Sequence, residues 1–222
     1  RSSDLVQLKK LTWDGLDQDS CLVFISKTSS TEVGRKAKTK SAEAPTVVVK
    51  GVPKAIENKI RELHNEKLVS GNMGESVFLR GFSTGGYKNL LVVGLGDGKN
   101  ATHETIRHGI GHAFKVLRRE KSKSVALSAE NLSGYASTPQ SLGKAVGEAC
   151  TLVNYLYKDF KASAESNSEK TEDDKLAWTL FSTRPNAKLE SGFEAGLIVG
   201  ECANFARWLG DSPGNVMTPR RL

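Results

Sequence analysis

Three histidines, a run of alternating glycines and three cysteines are the residues of this 222-residue chain whose types and spacing could do chemistry. His108 and His112 stand four apart and share a face if their segment is helical, as two imidazoles of a metal site would. The stretch "HETIR" from His103 begins like the HExxH pattern of zinc enzymes but carries Arg107 where the second histidine belongs. Two ligands on one helix do not close a metal site, and no Asp, Glu or Cys cluster nearby offers a third. The histidines are therefore expected to face solvent or a partner. In "VVGLGDGKN", Gly94, Gly96 and Gly98 follow an apolar run and precede a helical one, where a phosphate-binding turn would sit. Lys99 occupies the third glycine position of GxGxxG, and no acidic residue closes the next strand, so a tight turn is the expected use. Cys21, Cys150 and Cys202 form no CxxC pair, which excludes a cysteine zinc site or a disulfide framework and makes a reducing cytoplasm the expected setting. Each lies in an apolar context and is expected to be a buried structural thiol. Neither GxSxG nor a Cys/His signature supplies a nucleophile. No catalytic, cofactor-binding or metal-ligating residue is assigned.

Charge adds a possible partner. Lys and Arg number 32 against 25 Asp and Glu, a formal net charge of +7. Five bases and one acid fall between Lys115 and Lys123, whereas residues 158–175 hold six acids and four bases. A basic run attracts nucleic-acid phosphates regardless of sequence. No RNP-like aromatic motif, zinc-finger spacing or arginine-rich tail accompanies it. Cations at a helix C-terminus, beside its exposed carbonyls, account for it more simply. Hydrophobic residues at 38% and charged ones at 26% describe a globular chain, and no apolar run is long enough to cross a bilayer. The start lacks the apolar core of a secretory signal.

The elements that must position these residues alternate between strand and helix. Strands are expected at Leu5–Leu11, Cys21–Ile25, Thr46–Val49, Ser76–Phe82, Asn89–Leu95, Ser124–Leu127 and Leu176–Phe181. The pair around "STGGYK" should form a hairpin. A mobile surface loop is expected over residues 26–45 and an acidic loop over 165–175. Helices are expected from Pro53, with Ile56, Ile60 and Leu63 on one face; from Thr102 to about Glu120; and from Pro139, through Leu142, Val146, Cys150, Val153 and Leu156. A last helix from about Leu189 to Gly210 carries Gly192, Gly196, Gly200 and Ala203 at spacings of four, four and three. Glycines weaken a free helix by roughly 1 kcal/mol each, so close packing should compensate. This order predicts an α/β fold with a mixed sheet flanked by helices.

The tail "GLIVGECANFARWLGDSPGNVMTPRRL" resembles the segment that joins the two domains of leucyl (cytosol) aminopeptidases. Asn204, Ala206, Arg207, Leu209, Pro213, Asn215, Met217, Thr218, Pro219 and Leu222 fit that family's pattern in register. Phe205, Trp208, Gly210, Asp211 and Gly214 depart from it. "NLLVVGLGD" is similar to the family's N-terminal strand. The resemblance implies a macro-domain-like N-terminal domain over residues 1–185, then a linker helix and the start of a catalytic domain over 186–222. It implies a cytoplasmic, hexameric parent enzyme that removes N-terminal residues from peptides with two divalent ions (Zn, Mn or Mg). In the family those ions sit in motifs resembling "GKGxTFDSGG" and "NTDAEGR", which do not occur in this sequence. The expected partners are thus the enzyme's own catalytic domain, further subunits and peptides. The expected role of this part is assembly and control of access. The alternative is a macro-like module that binds nucleic acid or ADP-ribose.

Overall fold

The computed structural model describes residues 5–28, 47–82, 84–157, 175–184 and 186–218. Strands β1 (Val6–Lys10), β2 (Gln18–Lys27), β3 (Val47–Val48), β4 (Ser76–Arg80), β5 (Tyr87–Asp97), β6 (Ser124–Ser128) and β7 (Ala177–Ser182) make one sheet. Its order is β1-β7-β6-β2-β5-β4, with β3 paired to β2. The neighbours from β1 through β5 run parallel, whereas β4 against β5 and β3 against β2 are antiparallel. This is the mixed sheet the alternating pattern predicts, including the hairpin.

Helices α1 (Lys54–Asn65), α2 (His103–Arg119), α3 (Ala129–Leu132), α4 (Pro139–Val153) and α5 (Ala187–Asp211) complete the fold. Strand β2 shows why "CLVFI" is apolar throughout. Leu22 and Phe24 pack with α2, α4 and α5 on one side of the sheet, while Cys21, Val23 and Ile25 pack with Ile56, Ile60 and Leu63 of α1 on the other. A strand covered on both faces loses its polar alternation. Thr102 and Thr138 cap α2 and α4 through reciprocal capping boxes, and Pro139 takes the first helical turn, where its missing N–H costs nothing.

The elements differ from the sequence reading at several points. Ser26 and Lys27, assigned to a loop, extend β2. Pro53 is the residue before α1 rather than part of it. The helix expected to reach Leu156 stops at Val153, because the Asn154 side chain turns aside to hold the backbone of Leu176: its amide donates to Leu176 O at 2.8 Å and its carbonyl accepts from Leu176 N at 3.1 Å. The short α3 was not foreseen. It follows from Asn131, whose buried side chain accepts from Phe24 N and donates to Phe24 O and Lys50 O, in the manner of a strand partner. The remainder of the loops expected over 26–45 and 165–175 lies outside the described residues, apart from Thr28 and Lys175.

Candidate functional site

The residues that first invite a chemical reading do not form a common site. Three backbone donors of the glycine turn are already committed within the chain. Gly94 N donates to Glu75 O at 2.8 Å and Gly96 N to Gly71 O at 2.9 Å, while Lys99 N donates to the Asp97 carboxylate at 3.0 Å. The glycines serve approach and conformation. Gly96 has φ +77°, and a Cβ on Gly94 would come within 2.1 Å of Asn72 O. His112 Nε2 pairs with Ser76 Oγ at 3.0 Å, and His108 is exposed. Among the described residues, no group of three or more His, Cys, Asp or Glu side chains is placed to hold a metal ion. They do not fit a divalent-metal centre.

The basic run ends α2 as its charge predicts. Lys115, Arg118, Arg119, Lys121 and Lys123 are exposed, and the Arg118 guanidinium lies 5.7 Å from the centre of the Phe114 ring. Glu120 turns back to pair with Arg80 of β4. Burial pushes the Cys21 and Cys150 thiols up, away from reactivity. Cys202 corrects the expectation of three buried thiols. It is exposed, because it lies off the line of Gly192, Gly196 and Gly200 by which α5 packs on α4.

The arrangement with the closest fit lies between α4 and α5. Gly192 and Gly196 face α4 backbone: a Cβ on Gly192 would come within 2.0 Å of Gln140 O, and one on Gly196 within 2.3 Å of Lys144 O. The sequence reading named this stripe but missed its counterpart, Gly143 and Gly147, whose Cβ positions would lie 2.3 Å from Leu189 O and 2.5 Å from Phe193 O. The signal was present as two glycines four apart on a predicted helix. Farther along α5, polar groups replace glycine. Asn204 Nδ2 donates to Thr151 O at 2.9 Å and Arg207 Nη1 to Leu152 O at 3.3 Å, so two carbonyls in the last turn of α4 gain side-chain donors, Leu152 O in addition to its backbone donor Tyr155 N. The Arg207 guanidinium lies 5.8 Å from the Tyr155 ring centre, and Tyr155 Oη donates to Asp211 Oδ2 at 2.7 Å. Partial desolvation, then the Asp211 hydrogen bond, push the Tyr155 phenol up to about 12. Asn204 and Arg207 thus act as a clamp on α4, with Tyr155 and Asp211 as partners that no motif disclosed.

Residues 33–164 match the family described as "Cytosol aminopeptidase family, N-terminal domain". The chain belongs to that family. It is 31% identical over 158 residues to a probable cytosol aminopeptidase of Bdellovibrio bacteriovorus, covering 71% of this chain and 30% of that protein. A tomato leucine aminopeptidase variant superposes with a TM-score of 0.61 at 17% identity, covering 97% of this chain and 40% of that one. A bottromycin maturation enzyme gives 0.57 at 18% identity, covering 91% and 35%. At these identities the two structures establish the fold, a mixed α/β sheet flanked by helices. The chain spans about a third of the length of the curated cytosol aminopeptidases it matches. None of these comparisons supports the alternative of a nucleic-acid or ADP-ribose module. No helix among the described residues is long and apolar enough to cross a membrane.

Proposed function

We propose that this chain is the non-catalytic N-terminal part of a cytoplasmic, metal-dependent aminopeptidase, serving subunit assembly and access of peptides to a catalytic part beyond it. The supporting observation is the match of residues 33–164 to the family's N-terminal domain in a chain about a third as long as its relatives. On this reading residues 1–185 form the domain and 186–222 the connection onward, with the rigid α4–α5 seam setting its direction. The two divalent ions (Zn, Mn or Mg) and the peptide-cleaving groups belong to the catalytic part. The parent assembles as a hexamer.

Hydrolysis of Leu-p-nitroanilide with added manganese tests this reading. The 222-residue chain gives no turnover and the full-length protein does. Turnover by purified 222-residue chain, or none by the full-length protein, overturns it.

A further inference from the structure

Strand β1 ends one side of the sheet, and only β7 pairs with it among the described residues. Leu11 N donates to Ser182 O at 3.2 Å, and backbone polar groups alternate sides along a strand, so those of Gln7 and Lys9 also face β7. The N–H and C=O groups of Val6, Leu8 and Lys10 therefore point out of the sheet, toward an edge that no strand among the described residues occupies. A groove of about 470 Å³ lies along this edge, between β1 and α5. Every residue of β1 lines it, whichever face its side chain takes, as a groove at the backbone edge requires. The opposite wall is a helical stripe of Leu189, Glu190, Phe193, Glu194 and Leu197. Lys10 pairs in register with Ser182, and α5 begins at Ala187 and packs back over the sheet, so it starts beside Lys10 and runs toward Val6.

Charge gives the groove two ends. Lys10 and Arg184 stand at one, and Glu190 and Glu194 follow along α5 toward the other. All four are exposed, and among the described residues none of them forms an ion pair. Val6 and Leu8 share the face of Lys10 and make the floor between the ends apolar. We infer that this groove binds short peptides with free termini, held as a strand added to the edge of β1, the carboxylate at Lys10 and Arg184 and the ammonium beside Glu190 and Glu194. Strand addition supplies main-chain hydrogen bonds whatever the side chains, and alternate side chains settle on the apolar floor. The span fits such a ligand. From Asn186 to Glu194 the helix rises about 12 Å, and four extended residues cover about 13 Å. An edge built only to repel other strands carries inward charge along its length, whereas Val6 and Leu8 are apolar. A second copy fits less well. Pairing through the same edge would bring two α5 helices over strands about 4.8 Å apart, where helix axes need about 8–10 Å. The site binds peptide without cutting it, so it goes beyond the function proposed above and does not depend on it.

Nuclear magnetic resonance of the 222-residue chain titrated with the tetrapeptide Leu-Val-Thr-Val tests the site. The peptide slows amide exchange at Leu8 and Lys10 and leaves the amides of α2 unmoved. Acetylating its N-terminus or amidating its C-terminus weakens binding about threefold each, the scale of an exposed ion pair. Methylating its amide nitrogens abolishes binding, because the strand hydrogen bonds are lost. Arg184→Glu weakens the free-carboxylate peptide about fivefold and leaves the amidated one unchanged, and Glu194→Lys acts in the same way on the free amine alone. Both positions are exposed, so the circular dichroism of each variant matches that of the unmodified chain. A doubly blocked peptide that binds as tightly as the free one overturns the proposal, and so does a methylated peptide that binds unimpaired. Millimolar peptide that leaves exchange at Leu8 and Lys10 unchanged overturns it as well. A chain that sediments as a dimer with those two amides already protected overturns it in favour of a second copy.

Discussion

The two halves of α5 make a controlled comparison within one helix. The first half, through Gly200, is sealed: Leu189, Gly192, Phe193, Gly196 and Gly200 are buried against α4 and its neighbours. The second half, from Glu201 on, has no fully buried residue among those described and meets the domain through the polar contacts of Asn204, Arg207 and Asp211. Both halves are rich in small and apolar residues, so composition does not distinguish them. What differs is the surface opposite. Where α4 runs alongside, glycine allows two backbones to approach, and dispersion contacts compensate for its poor helix propensity. Where α4 ends at Val153, α5 meets carbonyls instead of a helix flank, and Asn204 and Arg207 donate to Thr151 O and Leu152 O.

The largest test of this contrast is a side chain forced into the seal. Gly192→Val places a Cβ 2.0 Å from Gln140 O, and backbone cannot yield as a flexible side chain can. We expect a loss of about 3 kcal/mol or more in urea unfolding. A loss under about 1 kcal/mol would mean that the helices separate easily and that the two halves are not distinct. Next in size is the clamp. Asn204→Ala leaves Thr151 O without its donor and should cost about 1 kcal/mol. It should also speed amide exchange at the end of α4 and leave the Gly192 region protected. Equal loosening of both regions would dissolve the comparison.

A smaller, pH-dependent effect should come from Tyr155. Its folded-state phenol is raised from the ordinary 10 to about 12, so the folded protein keeps a proton that the unfolded chain has released. The stability from this group is therefore fully present below pH 10 and is lost as pH rises from 10 toward about 12. Spectrophotometric titration of wild type against Tyr155→Phe should show this phenol among the last to ionise, and Asp211→Asn should bring its midpoint down. A midpoint for Tyr155 that Asp211→Asn leaves in place would show that the hydrogen bond contributes nothing. The smallest effect belongs to Phe205, which is exposed in the open half. In the 222-residue chain, Phe205→Ser should change stability by no more than about 0.5 kcal/mol. A larger loss would reveal a contact that the exposed position of Phe205 does not show.

Much of the fold was legible because local chemistry and tertiary role coincide. Thr102 signals a helix start by its own hydroxyl, Pro139 marks another, and Ile56, Ile60 and Leu63 announce a buried face by spacing alone. The boundaries that went astray lie where a distant residue intervened. Asn154 leaves the helix for Leu176, and Asn131 ties β2 to the backbone at Lys50, across separations that no local pattern records. Cys202 was misread for the same reason. Its apolar neighbours in α5 look like a core face, yet Ile198, Cys202 and Phe205 are exposed.

Periodicity, capping residues and the glycine intervals were enough to establish the alternation of strand and helix, the sheet-forming runs and the close-packing character of the last helix. These depend on neighbours within a turn or two. Strand order, the pairing of Gly143 and Gly147 with Gly192 and Gly196, and the division of α5 into a sealed and an open half depend on which surfaces meet after the chain has folded back on itself. Burial is a property of pairs of surfaces, and one strand of sequence carries only half of each pair.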